Sequence, residues 1–233
     1  MRAIAKQIGI IAQEYSEDTD PLIAAGAVVQ RLFDYSHSLE AWARDIAGIM
    51  VQRAADNDYK TWIEASTELS KDTRKRLREV GTGDEFTRLQ NEQVTLITSL
   101  PLDAAKKVHE WTKEGMVNGD RYLDIAKRIR TELGGVSDSR AILIARTETS
   151  RARASFTEAR AKAIGSTHYV WHTVGDADVR PRHAHLDGTI QAWDNPPVCD
   201  HGKGGKPIRS NPGAVFNCRC WAQPLFPKSE YEK

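Results

Sequence analysis

Cys199-x-His201 and Cys218-x-Cys220 supply two pairs of the ligand types that zinc prefers. A glycine-rich loop between them, Gly202-Lys-Gly-Gly-Lys206, is free to fold one pair over the other. Four protein ligands leave no open position for water, so the chemistry would be structural rather than hydrolytic. Cys-x-Cys is tighter than the spacing usual in zinc fingers, and two other arrangements stay open. One is a disulfide from Cys199 to either later cysteine; the other is a free thiol pair packed beneath Trp221. No cysteine precedes Cys199, so all three act in one corner of the molecule, which suits a metal or packing role better than a disulfide framework.

A second constellation lies just upstream. Asp176, Asp178, Arg180, His183 and Asp187, with Asn217 further on, superficially match a one-metal nuclease in which the histidine is general base and the ion stabilises developing charge. Against this, Asp-x-Asp and Asp-Gly in turns more often cap backbone groups, and an arginine among them more often pairs with them. Arg146, Arg153 and Arg160 recur every seven residues, almost two helical turns, and share one stripe. Such a stripe could grip phosphates or an acidic partner; the more ordinary role is a solvated face with Glu148 and Glu158 as pairing partners.

The elements that must position these groups are readable from periodicity and punctuation. From Met1 to about Ser166 nearly everything reads helical. Ser36 to Ser38 are placed to cap a helix over 39–51. Further helices are expected over 86–100, ended by Pro101, over 102–114, ended by Gly115, and from Asp120 to a stop at Gly134-Gly135. The longest then runs from Ser137 to Gly165. The tail changes character. Tyr169-Val-Trp-His-Thr-Val174 alternates aromatic and β-branched residues with polar ones and closes at Gly175-Asp176, which predicts a strand; Thr189 to Trp193 after Asp187-Gly188 repeats the signal. Between them Val179-Arg-Pro-Arg-His183 reads as loop or short strand, because proline lacks an amide proton and disfavours the α conformation in the residue before it.

The expected fold is therefore mostly α with a small α+β C-terminal module. It comprises a helical N-terminal region over 1–83, a helical part over 84–166, a small β-rich tail over 167–227 and an extension over 228–233. The basic run Lys71 to Arg78, followed by Gly81-Thr-Gly83, marks the first boundary. Thirty-three basic against thirty-two acidic residues leave a net charge of +1, which removes the whole-chain electrostatic case for a dedicated DNA binder. No apolar run approaches a membrane span, and Met1-Arg-Ala-Ile-Ala-Lys6 lacks the features of a signal peptide, so the chain reads as made in the cytoplasm.

The order of the motifs adds a further reading. Ile144-Ala-Arg-Thr-Glu148 within a helix, a strand bearing Trp171, Asp176-x-Asp178-x-Arg180, His183, Leu186-Asp-Gly188 and Asn217-Cys-Arg-Cys220 before a proline together resemble the bacteriophage Mu F-like minor head proteins, or phage head morphogenesis proteins, over about residues 90 to 226. The resemblance implies structural roles for Arg146, Thr147, Glu148, Trp171, Asp178, Arg180, His183, Gly188, Asn217 and Arg219. It makes His183 the rival to His201 or Cys199 as a ligand beside Cys218 and Cys220. It also implies a non-enzymatic virion protein near the portal vertex. Such a protein would partner the portal and other head proteins, act in head assembly and DNA packaging or ejection, meet nucleic acid only indirectly and require no membrane. Members of the family can carry an appended toxin domain; the chain ends at Lys233, and none is expected here.

Overall fold

The helical periodicity resolves into α1 (Arg2–Ala12), α2 (Pro21–Ser38), α3 (Glu40–Ala65), α4 (Lys71–Glu79), α5 (Gly83–Asn118) and α6 (Tyr122–Ala163) in a computed structural model. It describes residues 1–16, 19–65 and 70–226; the extension over 228–233 lies outside them. α2 shows a start built from local chemistry. Pro21 stands at its first position, where no amide proton is needed, and the Asp20 carboxylate accepts the Leu22 N–H at 2.9 Å.

Four punctuation signals act differently from expectation, one of them Gly115, which lies inside α5 instead of ending a helix. Ser36 and Ser38 end α2 rather than cap α3; the Ser38 hydroxyl donates back to Tyr35 O. Pro101 does not end a helix but lies inside α5. A proline there costs about 3 kcal/mol in an isolated helix. Here Ile97 and Leu100 before it and Ala104 and Ala105 after it are buried in one core, and the Ser36 hydroxyl donates at 2.7 Å to Thr98 O, one turn back from the proline. Tertiary packing therefore outweighs the local penalty. Gly134-Gly135 likewise sits within α6. A Cβ on Gly134 would lie 3.5 Å from the Gly9 Cα, so this glycine serves the close approach of α1 rather than a stop.

The chain forms two compact units, Met1–Gly48 with Gln90–Ala145 and Ile49–Leu89 with Arg146–Lys233, and α3, α5 and α6 each contribute to both. The first unit is helical, with a core that includes Ile4, Ile8, Val28, Leu32, Ile97, Leu100, Ile129 and Leu133. The second has two apolar clusters: Val51, Ala54, Leu89, Ala152 and Phe156, and a larger one in which Trp62, Leu77 and Ala161 pack with Tyr169, Trp171, Trp193 and all three cysteines. No helix of the described residues is long and apolar enough to cross a membrane.

The C-terminal module completes the second unit. β1 (His168–His172) lies between β2 (Ile190–Ala192) and β5 (Trp221–Leu225), antiparallel to both, with Trp171 opposite Ala222 and Tyr169 opposite Pro224. Pro224 is tolerated because β5 is an edge strand. β3 (Val198–His201) and β4 (Pro207–Arg209) form a separate hairpin. The stretch expected to be loop or short strand instead contains a short helix, α7 (Pro181–Leu186). The proline rule still operates: Pro181 takes the first helical position, and Arg180 before it is extended, at φ −60° and ψ 142°. The molecule is thus mostly α with a small α+β C-terminal module.

Candidate metal centre

His183 comes from α7, Cys218 and Cys220 from the turn entering β5, and all three are buried, at 2, 3 and 8% exposure. Their ligand atoms lie within 4.8 Å of one another. The His183 Nδ1 is 3.3 Å from Cys220 Sγ and 3.6 Å from Cys218 Sγ. An ion bound at about 2.3 Å from sulfur and 2.0–2.1 Å from nitrogen needs donors closer than about 4.4 Å, so these pairs fit one ion. Cys199 is also fully buried, its thiol donating to Ile208 O at 3.6 Å, and it lies outside the group whose ligand atoms are all within 4.8 Å of one another. His201 is exposed at the end of β3, opposite Pro207. None of the three cysteines is in a disulfide.

The electrostatics favour an ionised sulfur at the centre. Cys218 is pulled down to about 4, first by the hydrogen bond from the Cys220 thiol, then by the His183 ring and the backbone N–H groups of Cys220 and Gly213, against the cost of burial. The Cys220 N–H lies 3.4 Å from the Cys218 sulfur. Cys220 itself is pushed up, because its proton is held against Cys218. Hydrogen bonds to Cys199 and Cys218 raise His183 to about 9 despite burial. The His183 Nε2 is buried and has no hydrogen-bond partner.

The motif residues make a frame around this group. Trp171, fully buried on β1, meets the His183 ring edge-on at 5.4 Å and 74°. The Gly188 N–H donates to Trp171 O at 2.8 Å from a positive φ of 73°, a conformation that suits glycine. The Arg180 guanidinium donates to Phe216 O at 2.8 Å and pairs with Asp200, and Arg219 donates to Asp176 and lies 3.6 Å from Asp178. Those two arginines tie the 216–220 turn to the loop that leads into α7. Asn217, with φ 52°, reverses the chain just before Cys218 and donates its N–H to the Thr147 hydroxyl at 3.1 Å. Thr147→Val should remove that acceptor while keeping shape, costing about 1 kcal/mol; urea unfolding would show it, and Thr147→Ser should restore it.

The carboxylates of the nuclease constellation are occupied otherwise. Asp176 binds Arg219, its Oδ1 also accepts the Asp178 N–H, and Asp187 accepts the Thr173 N–H at 2.7 Å. Of the arginine stripe, Arg146 and Arg153 are exposed, but Arg160 is buried against Asp58. Glu148 is buried and paired with Arg151. Sequence reasoning missed Asp58 and Gly213. Asp58 sits among the polar residues of an ordinary helix, and nothing local marks it; the positive φ of Gly213, 83°, and a would-be Cβ 3.1 Å from Cys220 O are properties of the folded turn alone.

A family model described as phage Mu protein F like protein matches residues 106–223, about half of the chain. An uncharacterized protein of Haemophilus influenzae is 31% identical over 215 residues, which are 89% of this chain and 45% of that one. The chain therefore spans less than half the length of that relative. No solved structure matches.

Proposed function

This chain belongs to the phage Mu protein F like family, and from that premise we propose that it is a minor protein of a tailed-phage head, associated with the portal vertex, that acts in head morphogenesis and in DNA packaging or ejection. The observation that carries the reading is the coincidence of the matched segment with the buried centre: Thr147, Trp171, Arg180, His183, Asn217 and Arg219 all lie in 106–223 and all serve one small module. That module is a docking piece held in shape by a bound divalent ion, and zinc is the ion that one imidazole and neighbouring thiolates prefer. Exposed Leu22, Ile23 and Phe33 on α2 offer apolar surface for a head partner. A net charge of +1 supports a role toward DNA exerted through partners rather than by direct grip.

Mass spectrometry of purified heads from a phage or prophage carrying this gene, beside heads assembled without it, tests the proposal. The expected result is a few copies of the chain per head, co-purification with co-expressed portal protein, and misassembled or DNA-poor heads when it is missing. Normal, filled heads without the chain would overturn it.

A further inference from the structure

The His183, Cys218 and Cys220 trio leaves one corner of a four-coordinate site to be filled. Exposed His201 and buried Cys199 are both on β3, two residues apart, and the backbone distinguishes them. In the β3–β4 ladder Val198 pairs with Arg209 and Asp200 with Ile208, so Cys199 is the extra residue of a β-bulge. A bulge re-aims the side chain it carries. Here the bulged side chain is fully buried, 0% exposed, in the same apolar cluster as Cys218 and Cys220, while α7 with His183 packs on β3.

Cys199 has little else to satisfy it. Its thiol reaches Ile208 O only at 3.6 Å, and the His183 ring and the Tyr169 side chain are among its polar neighbours. Cys218, in turn, is surrounded as a thiolate ligand is, by backbone N–H groups from Cys220 and Gly213. Such N–H groups orient and stabilise a metal-bound sulfur. All three cysteines of the chain therefore share one buried cluster beside the imidazole, with Cys199 just outside the group of ligand atoms that lie within 4.8 Å of one another, in a small module at the end of the fold. Small modules of that kind commonly need a metal to hold them.

We propose that Cys199 is the fourth ligand of a closed Cys3His site for a thiophilic divalent cation, with His183, Cys218 and Cys220 as the other three. This rests on the metal reading above and deepens it. Such a site clips the β3–β4 hairpin, α7 and the start of β5 together, reinforcing the Arg180 contacts to Asp200 and Phe216 O. No position is left for water or substrate, so the ion is structural.

Cobalt titration into the full-length, reduced, metal-free chain is the test, because sulfur-to-cobalt charge-transfer intensity reports the number of thiolates and the visible bands report four-coordination. Wild type should give a three-thiolate, four-coordinate spectrum. Cys199→Ser should lose about one thiolate's share of three and bind at least about tenfold more weakly, and His201→Ala should change nothing. Cys199→His, which keeps a ligand, should retain the four-coordinate bands at reduced charge-transfer intensity, and it guards against a variant that merely misfolds. Full charge-transfer intensity in Cys199→Ser, or its loss in His201→Ala, overturns the assignment of Cys199 and leaves the metal reading intact. No cobalt uptake by wild type overturns both.

Discussion

Asp58→Ala should destabilise the protein by about 3–5 kcal/mol, the cost of leaving a buried charge without its partner. The Arg160 guanidinium is 7% exposed and donates to Asp58 at 2.7 Å, while the Thr157 hydroxyl donates to the other carboxylate oxygen at 2.6 Å. Arg160 also lies over the Tyr59 ring at 5.1 Å. Burial nevertheless holds Asp58 above the usual carboxylate range, against the pull of Thr157 and Arg160. For Asp58 itself, desolvation thus outweighs the hydrogen bonds and charges that favour its ionised form. It follows that a double replacement, Asp58→Leu with Arg160→Met, should recover most of the loss. Urea unfolding of the two single variants and the double variant checks both statements, and a double variant as unstable as Asp58→Ala would contradict the second.

Trp171→Ala should cost a similar amount, about 3–5 kcal/mol, since a fully buried indole is exchanged for a cavity. Its effect differs in where it falls. Trp171 supports the His183 ring edge-on, and its indole lies beside Cys220, so the cavity opens against the candidate metal centre rather than in the helical cores. The variant should therefore lose cobalt affinity along with stability. Trp171→Phe keeps an aromatic edge there and should retain most of both. Unfolding midpoints and cobalt titrations on the same two variants would separate this from a purely global effect, in which affinity would survive once folding is restored by lower temperature.

Much of the plan was legible in the residues. Helical periodicity identified the α-rich body, and the alternation around Trp171 identified the central strand of the tail. Punctuation was less reliable than pattern, for tertiary reasons at Pro101 and Gly134 and for a local one at Pro181. Pro101 is carried through α5 by buried neighbours on both sides and a hydroxyl from α2; Gly134 is a packing residue against Gly9; Pro181 starts a helix because the first turn requires no amide proton. The buried centre was half legible. Residue type pointed to cysteine and histidine in the tail, but the choice between His183 and His201 depends on which side chain a turn or bulge carries inward, and local composition does not encode that. The partnership of Arg160 with Asp58 spans 102 residues, and nothing near Arg160 announces it.

The segment matched by the family model begins at residue 106, inside α5, and that position is not a seam in the folded chain. Upstream of it lie Ile8, Leu32, Ile97 and Leu100, which fill one core, and Val51, Trp62, Leu77 and Leu89, which fill the others. The recognisable stretch is therefore only a part of each core. Recombination that exchanged the recognisable stretch alone would join core parts that had diverged apart. Successful exchanges should accordingly carry the upstream helices with them, and sequence change on either side of the match should be correlated at the facing core positions.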